Sequence, residues 1–204
     1  MVLGRGKPES GEGRQERGQG MPNGSEESMS TALAEEFLRN SRKELRTRGE
    51  RIESCVRKLT EAQIWTRRHE NENAIGNLVL HLCGNVRQWI ICGVGGASDE
   101  RDRDAEFARR QPLAAEELLS RLRRTLEEAD RVLERVSVED LSSKRRIQVY
   151  DVTVLHAIYH VAVHFGEHTG QIIWATKGLT GEDLGFYGYL SRTKGAGQTG
   201  SQEP

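Results

Sequence analysis

From Thr153 to Lys177 the apolar residues lie nearly all the way round a helical wheel. A helix that is apolar on every side has no face to give to water, so other helices must surround it. Asp151 to Thr153 offer N-caps for this helix, and Lys177-Gly178 supply a basic last turn and a C-cap glycine. The same helix holds four of the chain's six histidines, His156, His160, His164 and His168, at a strict spacing of four.

Three further helical patterns can supply the surrounding helices. Leu38, Leu45, Ile52 and Leu59 recur every seventh residue between about Ser30 and Leu59, forming one packing seam. Ile75, Leu78, Val79, Leu82, Val86 and Trp89 give a broad apolar face to a second helix, which opens near Glu72 or Asn73 and is stopped by Gly93, Gly95 and Gly96. A third follows Pro112, carries Glu116 and Glu117 at its positive end, and buries Leu118, Leu122, Leu126, Ala129 and Leu133. No strand pattern matches these in strength, although Arg146-Ile147-Gln148-Val149 could form a short extended piece. The expected fold class is therefore all-α, a four-helix bundle.

Residues 1–28 are rich in Gly, Glu, Arg and Ser, and ordering them would cost backbone entropy with little burial to offset it. The expected organisation is a disordered N-terminal tail (1–28), a bundle (29–190) and a flexible C-terminal tail (191–204). The charged segment from Gly93 to Gln111, with ERDRDAEFARR inside it, is expected to be a solvated loop or a short helical turn. Gly93-Val-Gly-Gly96 lacks the Gly-Lys-Ser/Thr ending of a phosphate loop, and Asp102-Arg-Asp104-Ala-Glu106 lacks the turn glycine of an EF-hand.

Thirty basic against thirty-one acidic side chains leave no surplus positive charge for nucleic acid or an anionic membrane. No apolar run is long enough to span a bilayer. The N-terminal stretch lacks the apolar block of a secretory signal, and the odd number of cysteines, Cys55, Cys83 and Cys92, argues against a disulfide framework. A cytoplasmic protein is expected. Cys83 faces away from His81 and is expected in the core.

On a helix each four-residue step turns a side chain by roughly 40°, so neighbouring histidines converge while His156 and His168 diverge by roughly 120°. Val161, Phe165 and Ile172 place the core on the side of His164 and His168, which makes that pair the natural unit. Two rings cover only one edge of a metal's coordination shell, and a third ligand must come from elsewhere. His81, in the middle of the second helix, is the candidate, with Asn77 and Asn85 one turn to either side to orient it. The competing reading is a set of ordinary half-buried histidines, or a pH-responsive surface.

Asn73-Ala-Ile-Gly-Asn77-Leu-Val-Leu-His81-Leu-Cys-Gly-Asn85, Arg101-Asp-Arg-Asp-Ala-Glu-Phe107 and His164-Phe-Gly-Glu-His168-Thr-Gly-Gln171-Ile together resemble the DinB-like (damage-inducible) superfamily, in an uncharacterised subfamily, over about residues 30–190. The resemblance implies an up-down-down-up four-helix bundle, frequent homodimerisation, and a divalent metal, zinc or nickel, held by three histidines. The matching positions are His81, His164 and His168; no ligand role carries over to His156 or His160. Thr169 stands where many members have an arginine, which puts any substrate contact through that arginine in doubt.

The implied activity is that of a metal-dependent hydrolase or transferase acting on a small thiol-linked substrate, with a low-molecular-weight thiol and a small electrophile as partners. Gln171 could orient the electrophile. The alternative is a non-catalytic, metal-binding or dimerising helical bundle in a stress response.

Overall fold

A computed structural model describes residues 24–192, with side chains from 27 to 190. Most of both expected tails lies outside these residues. Four long helices form the bundle: α1 (Gly24–Arg57), α3 (Ile75–Val86), which continues as a π-helical stretch (Arg87–Val94), α5 (Ala115–Leu133) and α6 (Val154–Thr180). Short helices α2 (Glu61–Ile64), α4 (Arg103–Ala108) and α7 (Gly188–Arg192) and one hairpin, β1 (Lys144–Ile147) with β2 (Tyr150–Thr153), complete it.

Cross-helix pairs fix the directions. Arg42 meets Asp130 and Arg57 meets Glu116, so α1 and α5 are antiparallel. Arg48 lies against Gly166 and Lys58 against Glu182, so α1 and α6 are parallel. His81 faces His164 while Trp89 packs against His160, which makes α3 and α6 antiparallel. Arg87 meets Glu128 and Gly95 meets Val132, so α3 and α5 are parallel. The topology is up-down-down-up. Because α3 and α5 both run down, residues 95–114 must climb back along the bundle, passing the outer side of α3.

The seam on α1 packs as its spacing requires, with Leu45, Ile52 and Leu59 buried and Leu38 packed against the core. On α5 Leu118, Leu119, Leu122, Ala129 and Leu133 are buried, whereas Leu126 is only half-buried. The second helix starts at Ile75 behind the N-cap Ala74, and its last turns widen into the π-helix before Gly95. Thr153 caps α6, its hydroxyl accepting from the His156 amide. The helix runs past Gly178 to Thr180, because Gly181, at φ 70°, takes the left-handed cap conformation.

Contrary to the expectation for its wheel, α6 is not buried all round. Ala157, Ile158, Val161, Phe165 and Ile172 are buried, but Leu155, Tyr159, Val163 and Trp174 are exposed. In a ring of four helices each helix has two neighbours, so an outward face always remains. The expected extended piece is half of the hairpin: Ile147 pairs with Tyr150 around a Gln148-Val149 turn. Among the described residues no helix is long and apolar enough to cross a membrane.

Candidate metal centre

The antiparallel contact of α3 and α6 brings His81 against His164 and His168. The His81 ring centroid is 5.0 Å from that of His164 and 5.1 Å from that of His168, and the two α6 rings are 4.5 Å apart. One nitrogen from each of the three lies within 4.8 Å of the others. His81 Nε2 and His164 Nε2 approach to 3.1 Å. Two imidazole nitrogens facing each other at this distance need a proton or a cation between their lone pairs.

Hydrogen bonds fix where the ring protons sit. His81 Nδ1 is 3.0 Å from Glu106 Oε2 and 3.1 Å from Arg101 Nη2. A guanidinium only donates, so these two contacts demand opposite protonation of Nδ1. The carboxylate is the better partner. Burial pushes the Glu106 carboxyl up, but hydrogen bonds from Arg101 and His81 outweigh this and hold it below the ordinary range. His81 therefore donates Nδ1–H to an ionised Glu106, and its Nε2 lone pair faces the other rings.

In the same way His168 donates Nδ1–H to Gln171 Oε1 at 2.8 Å, which frees its Nε2. His164 Nδ1 is buried and has no hydrogen-bond partner among the described residues.

Burial also keeps His81 and His164 neutral. It pushes His81 down despite the opposing Glu106 hydrogen bond, and it takes His164, with help from His168 and His81, down to about 3. Neutral imidazole with a free lone pair is the form that ligates a metal. The residues fit a three-histidine ion site: all-nitrogen donors on two rigid helices, two of them tautomerically fixed by outer partners, and one buried ring nitrogen left without a protein contact.

The outer partners come from the segment expected to be a solvated loop. Arg101 clamps Glu106 through Nε–Oε1 and Nη2–Oε2 contacts of 2.8 Å each, and Phe107 packs its ring 4.5 Å from His81. Gly84 makes this approach possible, since a Cβ there would collide with the Glu106 carboxylate. Asn77 and Asn85 do not orient His81 as expected. The Asn77 amide donates to the Glu106 backbone carbonyl at 2.8 Å, so it acts on His81 only through Glu106, and Asn85 Oδ1 is buried without a partner. Gln171 holds His168 rather than facing a substrate, and Thr169 is buried, its hydroxyl bonded to the Phe165 carbonyl. Cys83 is half-buried, packed against the core as expected and away from the rings.

His156 and His160 join no such cluster. They line a cavity of about 380 Å³ that opens onto His81 and His164 and is walled by Trp89, whose ring packs tilted against His160 at 4.1 Å, and by Tyr150. Gln148, at the hairpin turn, has φ 55°, a conformation that costs a non-glycine residue about 1–3 kcal/mol. Its side-chain amide donates to Gln88, which also accepts from Arg101 Nη1 at 2.9 Å, so the turn is tied through the π-helical stretch to the Glu106 clamp. A smaller groove between α1 and α5, floored by Leu45, Leu122 and Leu126, contains no histidine.

Residues 32–195 match a family described as "Protein of unknown function (DUF1572)". No curated protein matches the chain. A crystal structure of a conserved protein of locus from Enterococcus faecalis shares 16% identity and superposes with a TM-score of 0.59, covering 71% of this chain and 97% of that one. At that identity the likeness concerns the fold.

Proposed function

The chain belongs to the DUF1572 family, and from that premise and the geometry of its rings we propose that it is a DinB-like, divalent-metal-dependent hydrolase or transferase acting on a small thiol-linked substrate. The observation that carries the proposal is the meeting of three imidazoles beside an open cavity, two of them, His81 and His168, with their outer nitrogens anchored, so that one nitrogen of each ring converges on the others.

His81, His164 and His168 would hold the ion, with zinc or nickel suited to an all-imidazole set. When bound, the ion supplies Lewis acidity that makes a thiol or water nucleophilic at neutral pH. The protein's own part is positioning. Glu106 and Gln171 fix ring tautomers, and Phe107 packs beside His81. Trp89, Tyr150 and His160 wall the space in which a thiol and a small electrophile would meet.

A second reading, a homodimeric scaffold, is favoured by the exposed stripe Leu155, Tyr159, Val163 and Trp174 on α6. In either case metal content is decisive. Untagged protein, dialysed and analysed by plasma mass spectrometry, should carry about one divalent ion per chain, and His81→Ala should carry almost none. Equal occupancy in the two proteins would show that these rings do not form the site. Conjugation of monochlorobimane to cellular thiols by the loaded protein then separates catalyst from scaffold.

A further inference from the structure

We propose that the cavity beside the three rings binds a small N-acylated amino acid, reading its carboxylate with Arg103 and its amide N–H with Asn85. This names a substrate class for the site and rests on the proposed function only for the expectation that the molecule also carries a thiol.

The first observation is charge. The cavity lining contains Arg101, Arg103 and four histidines but no carboxylate. Arg101 is 5% exposed and already neutralised by the two-pronged contact with Glu106. Arg103 differs: its guanidinium lies 5.0 Å over the Phe107 ring, and no acidic side chain pairs with it among the described residues. One uncompensated guanidinium at the edge of a pocket matches one negative charge, and its planar fork matches a carboxylate.

A second, independent observation is Asn85. It is 4% exposed, it lines the same cavity, and its Oδ1 has no hydrogen-bond partner. A buried acceptor left unpaired costs about 1–3 kcal/mol, a penalty that a ligand donor in the cavity would relieve once the side-chain amide turns Oδ1 toward it. An N–H is a donor of the required kind. The volume, about 380 Å³, lies in the lower part of the range for small-molecule sites, which is about 300–1,000 Å³. The Trp89, Tyr150 and His160 rings supply flat apolar surface for the portion between the two polar ends.

The test is a titration of the full chain, metal-free and zinc-loaded, followed by the NMR signals of the Trp89 and His160 rings, with three probes: N-acetyl-L-alanine, its carboxamide, and N-acetyl-L-cysteine. The acid should bind at least about tenfold tighter than the carboxamide. Arg103→Gln should abolish that preference and Arg103→Lys should keep part of it; position 103 is exposed, so folding is not at risk in either variant. Asn85→Leu should weaken acid and carboxamide alike by about tenfold. No binding of the acid at millimolar concentration, equal binding of acid and carboxamide, or a preference that survives Arg103→Gln overturns the assignment. The zinc-loaded arm reports separately on the thiol reading: N-acetyl-L-cysteine binding no tighter than N-acetyl-L-alanine would overturn that reading and leave the carboxylate preference standing.

Discussion

Converting Glu106 to Gln changes one atom type and removes one charge from the centre of the site. The carboxylate is 12% exposed and clamps Arg101, which is 5% exposed, while holding the His81 ring. Without it a guanidinium stays buried beside a neutral imidazole with no counter-charge. Removing one partner of a buried pair costs about 3–5 kcal/mol, and because an amide oxygen still accepts one bond we expect the low end, about 3 kcal/mol. For a domain of this size that corresponds to about 6–12 °C in Tm. The His81 Nδ1–H also loses its charged acceptor, so zinc affinity should fall about tenfold, at the low end of the effect of losing such an outer partner.

Stability and affinity can then be pulled apart. Removing both charges, Arg101→Met with Glu106→Leu, should recover most of the lost stability, since apolar replacement of a whole buried pair is often close to neutral. Zinc affinity should stay low, because His81 Nδ1 no longer has an acceptor. Urea denaturation of the metal-free proteins and competition for zinc against a chromogenic chelator measure the two quantities. If the double variant is as unstable as the single one, or regains zinc affinity along with stability, the clamp does not orient His81 as argued.

The Glu106 carboxyl is held below its ordinary value of 4.5, so its contribution is present above that pH and is lost as pH falls through the lower folded value; Glu106→Gln should flatten the loss of stability below about pH 4.5 in an acid titration followed by circular dichroism. His164, lowered to about 3 from 6.5, acts in the same direction at higher pH, because the unfolded ring takes up a proton below 6.5 and the buried one does not. Metal-free protein should therefore lose up to about 2 kcal/mol between pH 7.5 and 5 on this account, and His164→Gln should lose less; equal losses in urea midpoints would contradict it. Gly84→Ala touches no ligand, yet its Cβ must displace the Glu106 carboxylate, so chelator competition should show weaker zinc binding. With no displacement, the better helix propensity of alanine would stabilise the chain by up to about 1 kcal/mol, so the sign of the stability change decides.

The helices and the two rings on α6 were legible because each rests on local periodicity. The seam Leu38, Leu45, Ile52, Leu59 and the pair His164, His168 are defined by spacing along one helix, and Asp151 to Thr153 offer the cap that Thr153 then provides. His81 needed one non-local step, and its central position on an amphipathic helix supplied it. What escaped was tertiary. Arg101 and Glu106 sit in a charged stretch whose composition is that of a solvated loop, and only the path of the chain brings them to within 5% and 12% of full burial. Gly178 was a plausible cap, but the helix passes it because Gly181 adopts the left-handed conformation instead. Gln148 carried no signal, as nothing local favours glutamine at a positive-φ turn position; its reason is the amide of Gln88 across the cavity.

That path follows from topology. When α3 and α5 run in the same direction, the chain must return the length of α3 before α5 can begin, about 30 Å for the helix and its π-helical extension. Residues 95–114 could reach about 70 Å if extended, so they have slack for the α4 turns on the way. The return passes the outer side of α3, and His81 on α3 has its inner nitrogen turned to α6 and its outer nitrogen turned to that return segment. An acceptor for the outer nitrogen can therefore come from the crossover without disturbing the bundle interior. Glu106 fills that role, with Arg101 to neutralise it, Asn77 to pin its backbone and Gly84 to let it close. The charged stretch that looked like solvated surface is the second half of the site, and an up-down-down-up chain has to lay such a stretch across that side of α3.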